Sequence, residues 1–394
     1  MFTLFGNGIS DDTLAIQELL DSGAAEVVLP APEKCYLISK TLKIHANQTL
    51  RMAPTTRIRL ADGSNCCMIE NDDFGVWAEN ICIDGGIWDF NNVGQEPNPY
   101  HFPGKDGKKF YAKLGMTDEY KSDFEFREKV FPTYTQFPDV YTGFAMRFCR
   151  VRGFTLKNLT LRNPVTYGVQ IGYIEDFTIR DIRFDYNTCN PKWWNMDGIH
   201  LEGYCKNGYI LNLKGAVHDD MVALTADDSL YGPIENVVID GLFAEHCHSA
   251  VRLLSWGIPV KNVTIRNVFG TFYVYAVGIT RYFGGPDAVG KMENIIIDGA
   301  TIASSEGTVD VTGHCPLIWV QDGLDIDGLT IRNVYRDEKA NAVPLVGIDK
   351  RSTVKRLVVD NVVQKNNLEG ELPFIQIDGE VEDYQLGFVK EYKN

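Results

Sequence analysis

The chain has 394 residues, 44% hydrophobic, 23% charged and 11% aromatic, a globular composition that excludes disordered, collagen-like and disulfide-scaffold chains. Its 38 basic and 53 acidic residues give a formal charge of -15 with no Lys/Arg run, which argues against nucleic acid or an anionic membrane as partner. No apolar run reaches the roughly 18 residues of a membrane span, and length at roughly 150 residues per domain suggests two or three domains.

In chain order, Met1-Phe2-Thr3-Leu4-Phe5 lacks the basic n-region and apolar h-region of a secretory leader. The expectation is a cytoplasmic protein, or a secreted or periplasmic one if a leader has been trimmed. Ser10-Asp11-Asp12-Thr13 can N-cap a helix over 10–22 with Leu14, Ile16, Leu19 and Leu20 on its apolar face and Gly23 as its stop. Val27-Val28-Leu29 then reads as the first strand. The nine cysteines, at 35, 66, 67, 82, 149, 189, 205, 247 and 315, are odd in number and contain no CxxC pair. They read as mostly buried thiols, with no disulfide framework and no zinc site.

Residues 89–142, rich in Tyr, Phe, Pro and charge, interrupt the pattern that surrounds them. An insertion of this length is a candidate lid. Around it runs a repeat. Glu235-Asn236-Val237-Val238-Ile239-Asp240-Gly241, Lys261-Asn262-Val263-Thr264-Ile265-Arg266-Asn267 and Glu293-Asn294-Ile295-Ile296-Ile297-Asp298-Gly299 are near copies. Looser copies start near 154, 177, 209, 329 and 357, an average spacing of about 29 residues, and Glu79-Asn80-Ile81-Cys82-Ile83-Asp84-Gly85 is an earlier one. Each is a short β-branched strand ending at an Asn/Asp-Gly corner. With no helical periodicity between copies, the expected fold is all-β: a parallel β-helix, a solenoid over 1–394 with the helix at 10–22 capping its open N-terminal end. A propeller needs longer repeats.

Three segments then carry chemistry: Asn195-Met196-Asp197-Gly198-Ile199-His200, His218-Asp219-Asp220-Met221-Val222 and Cys247-His248-Ser249-Ala250-Val251. Asp197 and Asp220 each precede the apolar residue entering a strand by two positions, so they should stack on neighbouring coils, roughly 4.8 Å apart in backbone position. His248, one repeat after Asp220, should stack above it. Crowded carboxylates raise the pKa of at least one, leaving an acid beside an ionised base, the pairing that glycosidic cleavage uses. Asp227-Asp228 reads instead as a solvated loop pair, and His45, His101 and His314 have no evident partner.

These segments resemble family 28 glycoside hydrolases, the polygalacturonase family of the right-handed parallel β-helix. Asn195-Met196-Asp197 is similar to that family's Asn-Thr-Asp, His218-Asp219-Asp220 to its Gly-Asp-Asp, and Cys247-His248-Ser249 to its Gly-His-Gly without the glycines; Gly6-Asn7-Gly8-Ile9-Ser10-Asp11-Asp12-Thr13 resembles the opening of pectinase-like β-helices. The resemblance implies a single-stranded right-handed solenoid and an inverting hydrolase of pectin-related oligosaccharides, with Asp220 as general acid, Asp197 and Asp219 holding the attacking water, and His248, or else His246, supporting the acid. It also implies no metal and no cofactor. The family's Arg-Ile-Lys has no counterpart: Gly278-Ile279-Thr280-Arg281 stands there, so Arg252 and Arg281 are the nearest cationic substitutes and the uronate substrate is open. Asn195, His200, His218 and His246 join them as expected substrate contacts. Trp194, Trp256 and Tyr282 are candidates to line the cleft. An intracellular enzyme of this kind should be exo-acting, with 89–142 closing one side. Two rivals stand beside it: a calcium-dependent lyase using Arg252 as base, and a non-catalytic glycan-binding β-helix.

Overall fold

The computed structural model describes residues 3–130, 140–282, 284–306 and 314–393. The expected insertion at 89–142 therefore lies partly outside the described residues. The chain divides into two compact units, 1–200 and 201–394. Both are built from stacked coils of short parallel strands, the all-β solenoid that the repeat predicts.

In the N-terminal unit one column of strands runs Leu42–Ile44, Ile69–Asn71, Met146–Arg152 and Val169–Asp185, each parallel to the next. A second runs Thr49–Met52, Cys82–Asp84 and Thr155–Arg162. The predicted helix spans Thr13–Leu20. It buries Ala15, Ile16 and Leu20 but leaves Leu14 57% exposed, so the apolar face is narrower than the sequence pattern suggests. Asp12 sits at the N-cap without a side-chain bond to the helix, its carboxylate accepting instead the N–H of Phe5 at 2.6 Å, while its neighbour Asp11 accepts the N–H of Thr13 at 2.8 Å. The first strand is Asn7–Asp11, ahead of the expected Glu26–Leu29. His45 does have partners: it lies 2.8 Å from Asp21 at the helix C-cap and 2.7 Å from Asp72.

In the C-terminal unit the near-copies are in register. Val237, Val263, Ile295, Leu329 and Leu357 stack inward, as do Ile239, Ile265, Ile297, Ile331 and Val359, all fully buried. Four successive coils turn one corner at an asparagine in the left-handed region: Asn207, Asn236, Asn262 and Asn294, with φ of 51–59°. Their amides form a ladder, each Nδ2 donating to the preceding Oδ1 at 3.0 Å. At the next corner Gly241 and Gly299 alternate with Asn267, again at positive φ, because asparagine and glycine tolerate that conformation best. A separate column presents Asp220–Thr225, Ser249–Leu254, Val277–Thr280, Ile318–Val320 and Val346–Ile348. The candidate site stands on it.

Candidate active site

In the N-terminal unit Asp197 and His200 are fully buried, and His200 Nδ1 hydrogen-bonds the Asp197 carboxylate. The imidazole stacks on Tyr167 with ring centroids 4.0 Å apart, and Tyr167 stacks on Phe144 at 4.6 Å. The Asp197 carbonyl accepts the Gly168 N–H at 2.9 Å and the Tyr186 hydroxyl at 3.1 Å. Backbone and side chain of Asp197 are thus both held. Asn195, at φ 61°, has its Oδ1 3.2 Å from His101 Nε2 and 3.3 Å from Asn98 Nδ2, while Asn98 also donates to the Trp194 carbonyl at 2.8 Å. Residues of the inserted segment therefore anchor the loop that carries Asn195 and Trp194. His101, which the sequence leaves without a partner, packs edge-on to Trp194 at 5.0 Å, and burial lowers its pKa. The Lys192 ammonium lies 4.0 Å from the Trp194 ring centroid.

In the C-terminal unit Asp219 and Asp220 open the strand column. Strand register pairs Asp220 with Ser249, not with His248. The 28-residue step expected from the repeat is one short here, so His248 lies beside Asp219, with its Nδ1 3.8 Å from Asp219 Oδ1. Asp220 is fully buried. Arg252 Nε lies 2.7 Å from its Oδ2, the Ser249 hydroxyl donates to Oδ1, and the Tyr275 hydroxyl donates to Oδ1 at 3.3 Å. An ion-paired guanidinium and two hydroxyl donors thus converge on one buried carboxyl group. Asp219 keeps 16% of its side chain exposed. Oxygens of the two aspartates and a ring nitrogen of His248 lie within 4.8 Å of one another.

Aromatic rings wall this site. Tyr273 and Tyr275 lie edge-on to His248 at 5.5 and 6.0 Å, and Trp319 packs 5.8 Å from Tyr275 and 6.3 Å from Tyr282. The Arg252 guanidinium stands 5.8 Å from the Tyr282 ring centroid. Gly278 is needed beneath this wall, since a Cβ there would sit 2.6 Å from the Tyr275 ring. Ser249, Tyr273, Tyr275 and Trp319 escaped the sequence reading. The ladder that pairs Arg252 with Gly278 and Gly278 with Trp319 is the signal that finds Trp319, and it needs the register. Burial, with His248 and His246 nearby, pushes the His218 pKa down to about 4, so it is a neutral imidazole at pH 7.

Other expected contacts lie differently. Arg281 is bound into its own loop, Nε donating to the Asp322 carbonyl and Nη1 to the Gly285 carbonyl, each at 3.0 Å. Trp256 donates its indole N–H to the Asp227 carbonyl and packs 6.0 Å from Tyr231. His246 is exposed, with its ring 5.6 Å from Tyr273, and His314 Nδ1 lies 3.2 Å from the Tyr273 carbonyl. Asp227 and Asp228 are not a solvated pair: both are buried, because the loop folds back and Asp227 accepts the backbone N–H groups of Trp256 and Ile258.

No family model matches the chain, and no curated protein matches it. Solved structures do. A hyperthermoactive exopolygalacturonase from Thermotoga maritima is 16% identical, with 97% of this chain and 89% of that chain covered and a TM-score of 0.63. An endo-xylogalacturonan hydrolase from Aspergillus tubingensis is 14% identical over 96% of this chain and 98% of that one, with a TM-score of 0.59. A mutant tailspike protein of the E. coli bacteriophage HK620, solved in complex with a pentasaccharide, is 12% identical over 92% and 64%, with a TM-score of 0.62. The chain thus has the parallel β-helix fold that polygalacturonases share with a phage tailspike. At these identities the likeness is one of fold.

Proposed function

We propose that the protein is a glycoside hydrolase of pectin-related oligosaccharides, with Asp219 and Asp220 as its acid–base pair. The asymmetry of these two neighbours carries the reading. Asp220, buried and met by Arg252, Ser249 and Tyr275, has the cationic and hydroxyl partners that suit a general base. Asp219, partly open and beside His248, is suited to protonate the leaving oxygen. This reverses the roles that the family resemblance implies for the two residues. Asp220 is too enclosed to reach an anomeric carbon as a nucleophile, which disfavours a covalent glycosyl intermediate and so favours inversion. The oxygens are closer than the roughly 6.5–9.5 Å common between inverting carboxyls, which makes product stereochemistry a discriminating readout. Tyr273, Tyr275, Tyr282 and Trp319 supply apolar faces for sugar rings. Exo action belongs to the same proposal.

The lyase reading is less well supported, because Arg252, its base, is engaged by Asp220 at 2.7 Å. The test is incubation with a panel of pectic and neutral oligosaccharides. Asp219→Asn and Asp220→Asn should each lower kcat by about 10²–10⁴-fold, with Asp197→Asn assayed beside them, and nuclear magnetic resonance should find the inverted anomer released singly from a chain end. Product formation undiminished in both Asp219→Asn and Asp220→Asn would sink the catalytic assignment. A chelator-sensitive, ultraviolet-absorbing unsaturated product would instead establish the lyase.

A further inference from the structure

The N-terminal unit holds a cavity of about 420 Å³, a size suited to a small organic ligand. Strand register stacks Lys43, Glu70 and Arg147 on successive coils along one of its walls. Lys43 pairs with Glu70 at 2.5 Å, while Arg147 Nε stands 3.9 Å from Glu70, beyond hydrogen-bond length. Both cationic heads lie over the Phe74 ring, the guanidinium at 5.1 Å and the ammonium at 5.9 Å from its centroid. That ring holds them side by side through cation–π attraction. Tyr141 closes another side, its position fixed by a hydrogen bond donated to the Glu96 carbonyl at 3.0 Å.

Among the described lining residues, two cations face one carboxylate, so the pocket is biased toward an anion. A guanidinium only 9% exposed offers a fork of donors that fits the oxygens of a carboxylate or a phosphate better than a neutral group, and the Glu70 carboxylate beside it favours a ligand that also carries hydroxyls. We propose that this pocket binds the carboxylate of an acidic monosaccharide unit, Arg147 taking the carboxylate, Lys43 supplying the second charge and Glu70 accepting ring hydroxyls. The proposal rests on the glycan reading for its ligand class. It places acid-sugar recognition on residues other than Arg252 and Arg281.

The test is calorimetric titration of the full chain, both unaltered and as Asp220→Asn, with galacturonate, galactose and inorganic phosphate. Galacturonate should bind both proteins, at least about tenfold more tightly than galactose or phosphate, a difference of about 1.4 kcal/mol. Arg147→Met and Lys43→Met should each weaken galacturonate by about tenfold or more without lowering the melting temperature. Arg147→Lys, which keeps the charge and loses the fork, should fall between. Equal binding of galactose, equal binding of phosphate, or unchanged affinity in both methionine variants would overturn the proposal. Selective galacturonate binding in a protein that cleaves no glycan would leave the pocket standing and remove the hydrolase reading alone.

Discussion

Asp227 accepts backbone N–H groups from Trp256 and Ile258, yet burial outweighs them and pushes its pKa up to about 7 from the ordinary 3.8. Between about pH 4 and pH 7 the folded protein therefore holds a proton that the unfolded chain has released. Stability from this group is fully present below that window and is lost as pH rises through it, by a few kcal/mol at most. Asp227→Asn keeps an acceptor oxygen for the same donors and cannot titrate, so the variant's melting temperature should vary less with pH over that range. A slope equal to the parent's would refute the assignment. Asp220 is buried in a different setting, with Arg252 ion-paired to it and the Ser249 and Tyr275 hydroxyls donating to it. Sequence spacing found Asp220 and its strand. It could not find these partners, because Tyr275 lies two coils along the column and Ser249 replaces a residue that the resemblance expects to be glycine.

At the scale of the element, the corner is the unit that repeats most faithfully. Asn236, Asn262 and Asn294 look like turn residues in the sequence, but the structure gives them two further jobs: each holds the left-handed backbone and donates an amide hydrogen bond to the asparagine of the preceding coil. Asn262, in the middle, both donates to Asn236 and accepts from Asn294. Asn262→Ala should therefore cost about 1–3 kcal/mol in denaturant unfolding, from the lost amide bonds and from a Cβ residue held at positive φ. Asn262→Gly, which relieves the backbone, should cost less than the alanine. Equal losses would show that backbone strain contributes nothing. The helix at Thr13–Leu20 was legible from its N-terminal signals and its Gly23 stop. Its burial pattern was not, since the fold buries only one narrow side and turns Leu14 outward.

Across the whole molecule, stability comes from long inward columns of Val, Ile and Leu and from parallel ladders. All nine cysteines are free thiols, and Cys189 alone among them is exposed. Addition of a reductant should leave the melting temperature unchanged; a drop would reveal a covalent link that the fold does not contain. Burial pushes the Cys67 and Cys247 thiols up to about 12, so alkylating reagents should modify Cys189 first. The final strands, Glu380–Leu386 and Val389–Lys393, are largely exposed and rich in charge.

The sequence by itself determined the solenoid, because a repeat averaging about 29 residues with β-branched strands and Asn/Gly corners stacks in only a few ways. It also placed Asp197, Asp219, Asp220 and His248 at the starts of strands in that repeat. Tertiary structure decided the rest: that His248 stands beside Asp219 and not above Asp220, that Arg252 serves Asp220, that Arg281 is bound into its own loop, and that Lys43 and Arg147 share a pocket. Each of these depends on register between coils. A one-residue offset between repeats of unequal length changes which side chains meet, and spacing along the chain does not carry that offset.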